Sequence, residues 1–244
     1  MPIFKSGKKG SVTNYRPIAI IPTIAKLFES VMHTKIESFV NGKISQNQHG
    51  FVKNRSTTTN LMQMTNYTME SMNEKCQTQA LYTDYEKAFD RVNIKILLFK
   101  LAKFGFSRKL VKWFHEYLTS RTQFVGIGEK KSRTFAATSG VPAGSILGPS
   151  LFIIYINDIV DHVTDAIVLL FADDLKLLLK ITSPFGCQKF QNAIDQLYEW
   201  CVLNKLHLNL KKCYIMTYAR GGTLYDYNYT YNNGQHTFER VQLH

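Results

Sequence analysis

Between Thr23 and Val40 the apolar residues Ile24, Leu27, Phe28, Val31, Ile36 and Phe39 recur at the steps that line one side of an α-helix, and Gly42 follows as a stop. A second helix is predicted after Ser56, a residue able to cap it, with Leu61, Met64, Thr68 and Met72 along one side. The pattern then changes. Gln79-Ala-Leu-Tyr-Thr-Asp84 is a short strand-like run that ends on a carboxylate. Helical spacing returns over residues 93–104, with the stripe Ile94, Leu97, Leu98 and Leu101 closed by Gly105, and Asp90 stands where it could cap this helix. It continues over 108–119, with Leu110, Val111, Phe114 and Leu118.

Residues 121–128 and 132–138 form a hairpin pattern around Glu129-Lys-Lys. Ser139-Gly-Val-Pro-Ala-Gly-Ser145 is a loop that opens a helix with Leu151, Phe152, Tyr155, Ile156 and Ile159 inward; Pro149 fits only in its first turn. Next come two apolar runs separated by Asp173-Asp174, the pattern of a hairpin with two carboxylates at its tip. Ser183-Pro184 starts a long helix carrying Phe190, Ile194, Leu197 and Cys201. Leu206, Leu208 and Leu210 alternate as a short strand would, and from Gly221 onward a loop and a weak hairpin are expected. Helices mixed with hairpins predict an α+β fold with an antiparallel sheet.

Composition narrows the function. The 244 residues are 45% hydrophobic, enough for one large domain or two subdomains sharing a core. No run of about 18 apolar residues marks a membrane span. Cys76, Cys187, Cys201 and Cys213 are scattered without Cys-x-x-Cys spacing, so reduced buried thiols are expected and a structural zinc is not. The formal charge is +12 and uneven: residues 1–60 hold nine Lys or Arg against Glu29 and Glu37. A basic lobe joined to an acidic patch suits a polyanionic partner; a merely soluble basic surface is the alternative.

The acidic patch is the candidate chemistry. Carboxylates about 4 Å apart repel by roughly 4 kcal/mol at an effective dielectric of 20. A fold that keeps Asp173, Asp174 and the strand-end Asp84 together would hold a cation between them. Three such groups suit two Mg²⁺ ions, with Mn²⁺ a substitute, activating a 3′-hydroxyl and neutralising a pyrophosphate. Taken alone, Asp173-Asp174 reads first as a solvated turn, which is common in hairpins.

These residues resemble a known family. Tyr82-Thr-Asp84-Tyr-Glu-Lys-Ala-Phe89-Asp90 is similar to the first catalytic motif of reverse transcriptases, and Phe171-Ala-Asp-Asp174 to their metal-binding hairpin. Ser139-Gly-Val-Pro-Ala-Gly-Ser-Ile-Leu-Gly-Pro149 resembles the loop and helix between them. Asn14-Tyr-Arg-Pro-Ile18, Gln48-His-Gly-Phe51 with Arg55-Ser-Thr, and Leu208-Asn-Leu-Lys-Lys-Cys213 complete a set in family order that resembles the jockey-like branch of non-LTR retrotransposons.

The resemblance implies a right-hand polymerase: a fingers-like basic region over 1–78, a palm over 79–220 whose antiparallel sheet packs on helices, and an incomplete C-terminal hairpin or tail over 221–244, ending before the primer grip and thumb. It makes the chain an RNA-directed DNA polymerase acting on an RNA template, a DNA primer and deoxynucleoside triphosphates, with a nuclear location. Asp84, Asp173 and Asp174 become catalytic metal ligands, and Phe89 a steric gate against a 2′-hydroxyl. Lys5, Arg16, Ala143 and Gly144 fall at the incoming nucleotide and Arg55 at the template backbone. Lys212, with Lys211 as a competing candidate, matches a lysine that protonates pyrophosphate.

Bland alternatives remain for several of these. Without the resemblance Phe89 reads as a core aromatic at a helix start, and Lys5, Arg16 and Arg55 read also as surface charges. The loop also departs from the family's Pro-Gln-Gly at Pro142-Ala143-Gly144, which puts nucleotide affinity and fidelity in question. The competing function is a non-catalytic RNA-binding remnant of a retroelement. An RNA-dependent RNA polymerase shares the Asp-Asp hairpin, but Phe89 argues against it.

Overall fold

The computed structural model describes residues 2–5 and 7–242, with the side chains of Thr13, Arg16, Pro17 and Gln242 outside that description. β1 (Pro2–Phe4) pairs antiparallel with β2 (Tyr15–Pro17). α1 spans Thr23–Val40 as the periodicity predicts, but its expected inner face is largely uncovered: Ile24 is 84% exposed and Leu27 69%. Ile36 of that face is buried, alongside Glu29 and Val40. α2 (Thr57–Asn73) begins with a capping box in which Thr59 N–H donates to Ser56 Oγ and Ser56 N–H donates to Thr59 Oγ1. Its buried face is Asn60, Met64, Thr68 and Ser71, whereas Leu61 of the predicted stripe is exposed.

β3 (Gln77–Thr83) is the predicted strand. After the single turn α3 (Ala88–Arg91), α4 (Ile94–Lys103) is capped by Asn93, whose side chain accepts from Ile96 N–H at 3.1 Å. Asp90 lies inside α3 and does not cap α4, a correction to the expectation; Asn93 immediately precedes the first helical residue, where a cap must sit. α5 (Arg108–Thr119) buries Phe114 and Leu118.

The predicted basic hairpin consists of two short ladders, β4 (Thr122–Gln123) with β7 (Phe135–Ala136) and β5 (Gly126–Ile127) with β6 (Lys130–Lys131). α6 (Leu147–Ile156) carries Pro149 in its first turn and buries Leu147, Leu151, Phe152, Ile153, Ile154, Tyr155 and Ile156. α7 (Ile159–His162) leads to β8 (Ile167–Phe171) and β9 (Asp174–Ile181), and α8 (Pro184–Leu203) starts with Pro184 in its first turn.

Leu206–Leu210 is not a strand. Leu206 and Leu208 are buried because the chain folds back at the end of α8, with Leu206 N–H on the Cys201 carbonyl, and Leu208 makes one isolated bridge to Tyr85. Leu210–Lys212 is a 3₁₀ turn. The strand lies a few residues later as β10 (Tyr214–Tyr218). β11 (Thr230–Tyr231) and β12 (His236–Thr237) form the expected small hairpin, and β13 (Glu239–Gln242) ends the described chain.

The contacts group the chain into two compact units of two segments each, Met1–Asn41 with Lys87–Tyr155 and Gly42–Glu86 with Ile156–His244. In the first, α4 packs on α5, and the buried Lys100 is satisfied by donating to the Tyr155 carbonyl at 2.6 Å. Glu29 is satisfied likewise: Tyr117 Oη–H and Ile146 N–H donate to its two oxygens, each at 2.7 Å.

The second unit is built on a five-stranded sheet in the order β13-β10-β3-β9-β8, antiparallel except where β13 joins β10 in parallel. One face sets Ala80, Leu169 and Leu178 against Met64 of α2. The other carries buried Leu81, Val168, Leu175, Leu177, Ile181 and Ile215, with α8 against β9.

Candidate active site

Strand register brings the carboxylates together. β3 and β9 pair up to Thr83↔Leu175, so the next positions beyond that pair are Asp84 and Asp174. Phe171↔Asp174 closes the β8–β9 hairpin around the two-residue turn Ala172-Asp173. Asp84 and Asp174 line one cleft of about 490 Å³ together with Lys212, Lys176, Tyr82, Tyr214, Phe171 and residues at the start of α2.

Of the two candidate lysines, Lys212 has its Nζ 2.5 Å from Asp84 Oδ2. The 3₁₀ turn that delivers Lys212 is tied to the same strand end, since Asn209 N–H donates to the Asp84 carbonyl at 2.7 Å. Asp173 occupies the hairpin turn next to Asp174 but is not among the residues lining the cleft.

The electrostatics follow from this geometry. Although Asp174 is exposed as a residue, desolvation of its carboxyl raises the pKa and the negative charge of Asp84 raises it further; Lys176 and Lys212 oppose both. Lys176 is held below the usual lysine range by burial, with Asp174 pulling the other way. Its Nζ donates to Asn60 Oδ1 at 2.7 Å and sits 6.0 Å over the Tyr82 ring, which stacks on Tyr214 with centroids 5.0 Å apart. Burial also pushes the Cys213 thiol, beside Asp84, up to about 11, so it stays protonated.

Asp84 and Asp174 are hard oxygen donors whose mutual repulsion divalent cations would relieve, so their chemistry fits such ions with waters and phosphate oxygens filling the shell. Among the described residues no three His, Cys, Asp or Glu side chains gather as a ready-made cage.

Of the remaining expected residues, Phe89, Ala143, Gly144, Lys5 and Arg16 belong to the first unit and Arg55 to the second. Phe89 is half-buried and stacks on Phe152 with centroids 4.5 Å apart, while its carbonyl accepts from Val141 N–H at 2.9 Å. Ala143 and Gly144 lie against the segment after β2: Ala19 N–H donates to the Ala143 carbonyl at 2.7 Å, and a Cβ on Gly144 would come within 2.7 Å of the Ala19 carbonyl oxygen. Lys5 is exposed at the end of β1, and its main-chain N–H donates to the Asn14 carbonyl. Arg16 belongs to β2, and its side chain lies outside the described residues.

Arg55 is engaged within the fold. Its Nη1 donates to the carbonyls of Ser45 and Gln48, each at 2.6 Å. Lys176, Asn60 and Tyr214 were not singled out from sequence. Lys176 was within reach of it, because two residues beyond Asp174 on a strand is the same face.

Among the described residues no helix is long and apolar enough to cross a membrane. The RNA-directed DNA polymerase of the Drosophila melanogaster mobile element jockey is 29% identical over 228 residues, covering 89% of this chain and 25% of that protein. The probable RNA-directed DNA polymerase of transposon BS from the same organism is 27% identical over 221 residues, covering 86% of this chain and 24% of that protein. The chain thus spans about a quarter of the length of the curated relatives it matches.

Apo telomerase from Candida tropicalis, truncated from its C-terminal domain, shares the fold with a TM-score of 0.59 at 13% identity, over 81% of this chain and 42% of that one. Telomerase from Candida albicans in complex with a fragment of telomeric RNA gives 0.54 at 12% identity, over 79% and 33%. The family described as reverse transcriptase (RNA-dependent DNA polymerase) matches residues 6–239, and this chain belongs to it.

Proposed function

We propose that the chain is the nucleotidyl-transferring part of a non-LTR retrotransposon polymerase, copying an RNA template from a DNA primer with deoxynucleoside triphosphates. The observation that carries this reading is the meeting of Asp84 and Asp174 at the ends of paired strands in one cleft with Lys212. The five-stranded sheet would be the palm, within residues 79–220 apart from its outermost strand and the first two residues of β3, and the fingers-like region would lie within 1–78. Asp84 and Asp174, with Asp173 from the adjoining turn, would hold two Mg²⁺ ions, which when bound supply Lewis-acid stabilisation of the attacking and leaving oxygens.

This chain's own residues then divide the work. The Asp84 and Asp174 carboxylates, anionic like the phosphate, would hold the ions at the strand ends where the reacting phosphate must sit. Lys212, its Nζ 2.5 Å from Asp84 Oδ2, would donate a proton to the leaving pyrophosphate. Phe89, its ring fixed on Phe152, would crowd a 2′-hydroxyl, and Ala143 and Gly144 would border the nucleotide, with Lys5 and Arg16 neutralising its phosphates. Arg55, whose Nη1 is taken up by Ser45 and Gln48, would touch the template backbone through another of its guanidinium donors.

The exposed hairpin formed by β4–β7, with Lys130, Lys131 and Arg133 beside exposed Phe124, Ile127 and Phe135, suits an RNA strand through phosphate contacts and base stacking. Copying into chromosomal DNA would require a nuclear location.

Primer extension on RNA in Mg²⁺ tests the reading. Incorporation should fall at least about a hundredfold in Asp84→Asn and in Asp174→Asn; incorporation that survives either change overturns the assignment. Phe89→Ala should admit ribonucleotides more readily, and unchanged sugar selectivity removes the gate. One observation favours a second reading, an RNA-binding remnant: the Lys212 ammonium already pairs with Asp84. RNA binding that weakens steeply with salt, with no incorporation by the unaltered chain, is its signature.

A further inference from the structure

We propose that Gln48 is a positioning residue for the Asp173-Asp174 hairpin, its side-chain amide holding the turn that aims the carboxylates. The inference rests on the polymerase reading only for what the carboxylates do; the clamp itself stands on geometry. The ladder between β8 and β9 closes at Phe171↔Asp174, which leaves the Ala172 N–H in the turn without a strand partner. Gln48 provides one. Its Oε1 accepts the Ala172 N–H at 2.9 Å and the Gly50 N–H at 2.8 Å, and its Nε2 donates to the Ala172 carbonyl at 3.4 Å. An amide oxygen has two lone pairs, so both N–H groups are served at once. Gln48 is 0% exposed, so water does not take its place.

The residue held in this way needs holding. Ala172 has φ +55°, a left-handed conformation that an alanine adopts only when its surroundings impose it. The Gln48 loop lies directly on it. His49 N–H donates to the Leu170 carbonyl at 2.8 Å, Leu170 N–H donates to the Asn47 carbonyl at 2.9 Å, and a Cβ on Gly50 would sit 2.2 Å from the Ala172 nitrogen. The loop is fixed in turn by Arg55 on its carbonyls and by the His49 ring, which bonds Thr59 Oγ1 and Gln63 Oε1 of α2 at 2.8 and 3.0 Å. Gln48 therefore acts on the reaction through the hairpin and not by touching a reacting atom.

Amide hydrogen exchange and kinetics test the clamp together. In the unaltered chain the Ala172 and Gly50 amides should be protected although one lies in a turn and the other in a loop. Gln48→Met, close in length and without the acceptor and donor, should speed exchange at both by more than tenfold while Leu178 in β9 keeps its rate. It should lower kcat for deoxynucleotide incorporation about a hundredfold, as a displacement of about 1 Å can, with KM for the nucleotide within about threefold. Rapid exchange at Ala172 in the unaltered chain overturns the proposal without any variant, so a Gln48→Met chain that fails to fold does not shelter it. Exchange at Ala172 that ignores Gln48→Met overturns it too. Protection at Ala172 that depends on Gln48, in a chain that incorporates nothing, counts against the polymerase reading and leaves the clamp standing.

Discussion

α1 and α2 are nearly equal in length and both carry apolar residues at helical spacing, yet they use that spacing in opposite ways. α2 lays Met64 on Ala80, Leu169 and Leu178 of the sheet and keeps Asn60, Thr68 and Ser71 on the same buried side. α1 leaves Ile24, Leu27, Phe28 and Val31 exposed and buries a glutamate. Periodicity tells which residues share a face. Which face is covered depends on what the rest of the chain offers, and a carboxylate with two donors aimed at it can occupy the covered side.

The largest expected effects come from the two buried anchors. Met64→Ala should cost about 3 kcal/mol of stability, since a core methionine truncation loses transfer energy and leaves a cavity. Glu29→Ala should cost roughly 2 to 3 kcal/mol, because Tyr117 Oη–H and Ile146 N–H lose their buried acceptor, while Glu29→Gln, which keeps one oxygen, should cost less. Urea unfolding of the three variants decides. A Glu29→Ala loss under about 0.5 kcal/mol would return Glu29 to an ordinary surface position and erase the contrast between the helices.

Much of this was readable in the residues. Helix positions followed from stripes with a recognisable boundary, such as the Gly105 stop after Leu101 and the Ser183-Pro184 start before Phe190. Asp84 and Asp174 were readable because each ends or begins a strand-like run, and register then places them side by side. Three things were not readable. β10 has no clean alternation, with Ile215 buried and its other residues half covered, whereas Leu206 and Leu208 alternate for a reason unrelated to a ladder. The Arg55 contacts lie within a loop whose path no periodicity encodes. Gln48 is a polar residue more than a hundred positions from the turn it holds, a pairing only the fold creates.

A smaller effect, of opposite sign, is expected in the cleft. The folded-state pKa of Asp174 is raised above its unfolded value, so between the two values the folded chain binds more protons and stability falls as pH rises. Above the raised pKa the charge is a standing cost, and below the unfolded pKa it vanishes. Asp174→Asn should therefore raise the thermal midpoint at neutral pH by no more than about 2 °C, given solvent screening at this partly open site. A gain that persists unchanged at a pH below the carboxylate range would separate it from the charge. Asp173→Asn, outside the cleft lining, is expected to move the midpoint less.

The smallest effect belongs to α1 and is the strictest test of the contrast. Leu27→Ser removes an apolar side chain that is 69% exposed, on a helix whose covered side is elsewhere, so little apolar area returns to water on unfolding. The change should stay within about 0.5 kcal/mol, against about 3 kcal/mol for the equivalent truncation at Met64 in α2. Helix propensity works slightly against serine, so a loss of a few tenths still agrees with an open face. A loss above about 1.5 kcal/mol would mean that Leu27 is packed in solution. The difference between the helices would then lie in what each rests on and not in whether it rests on anything.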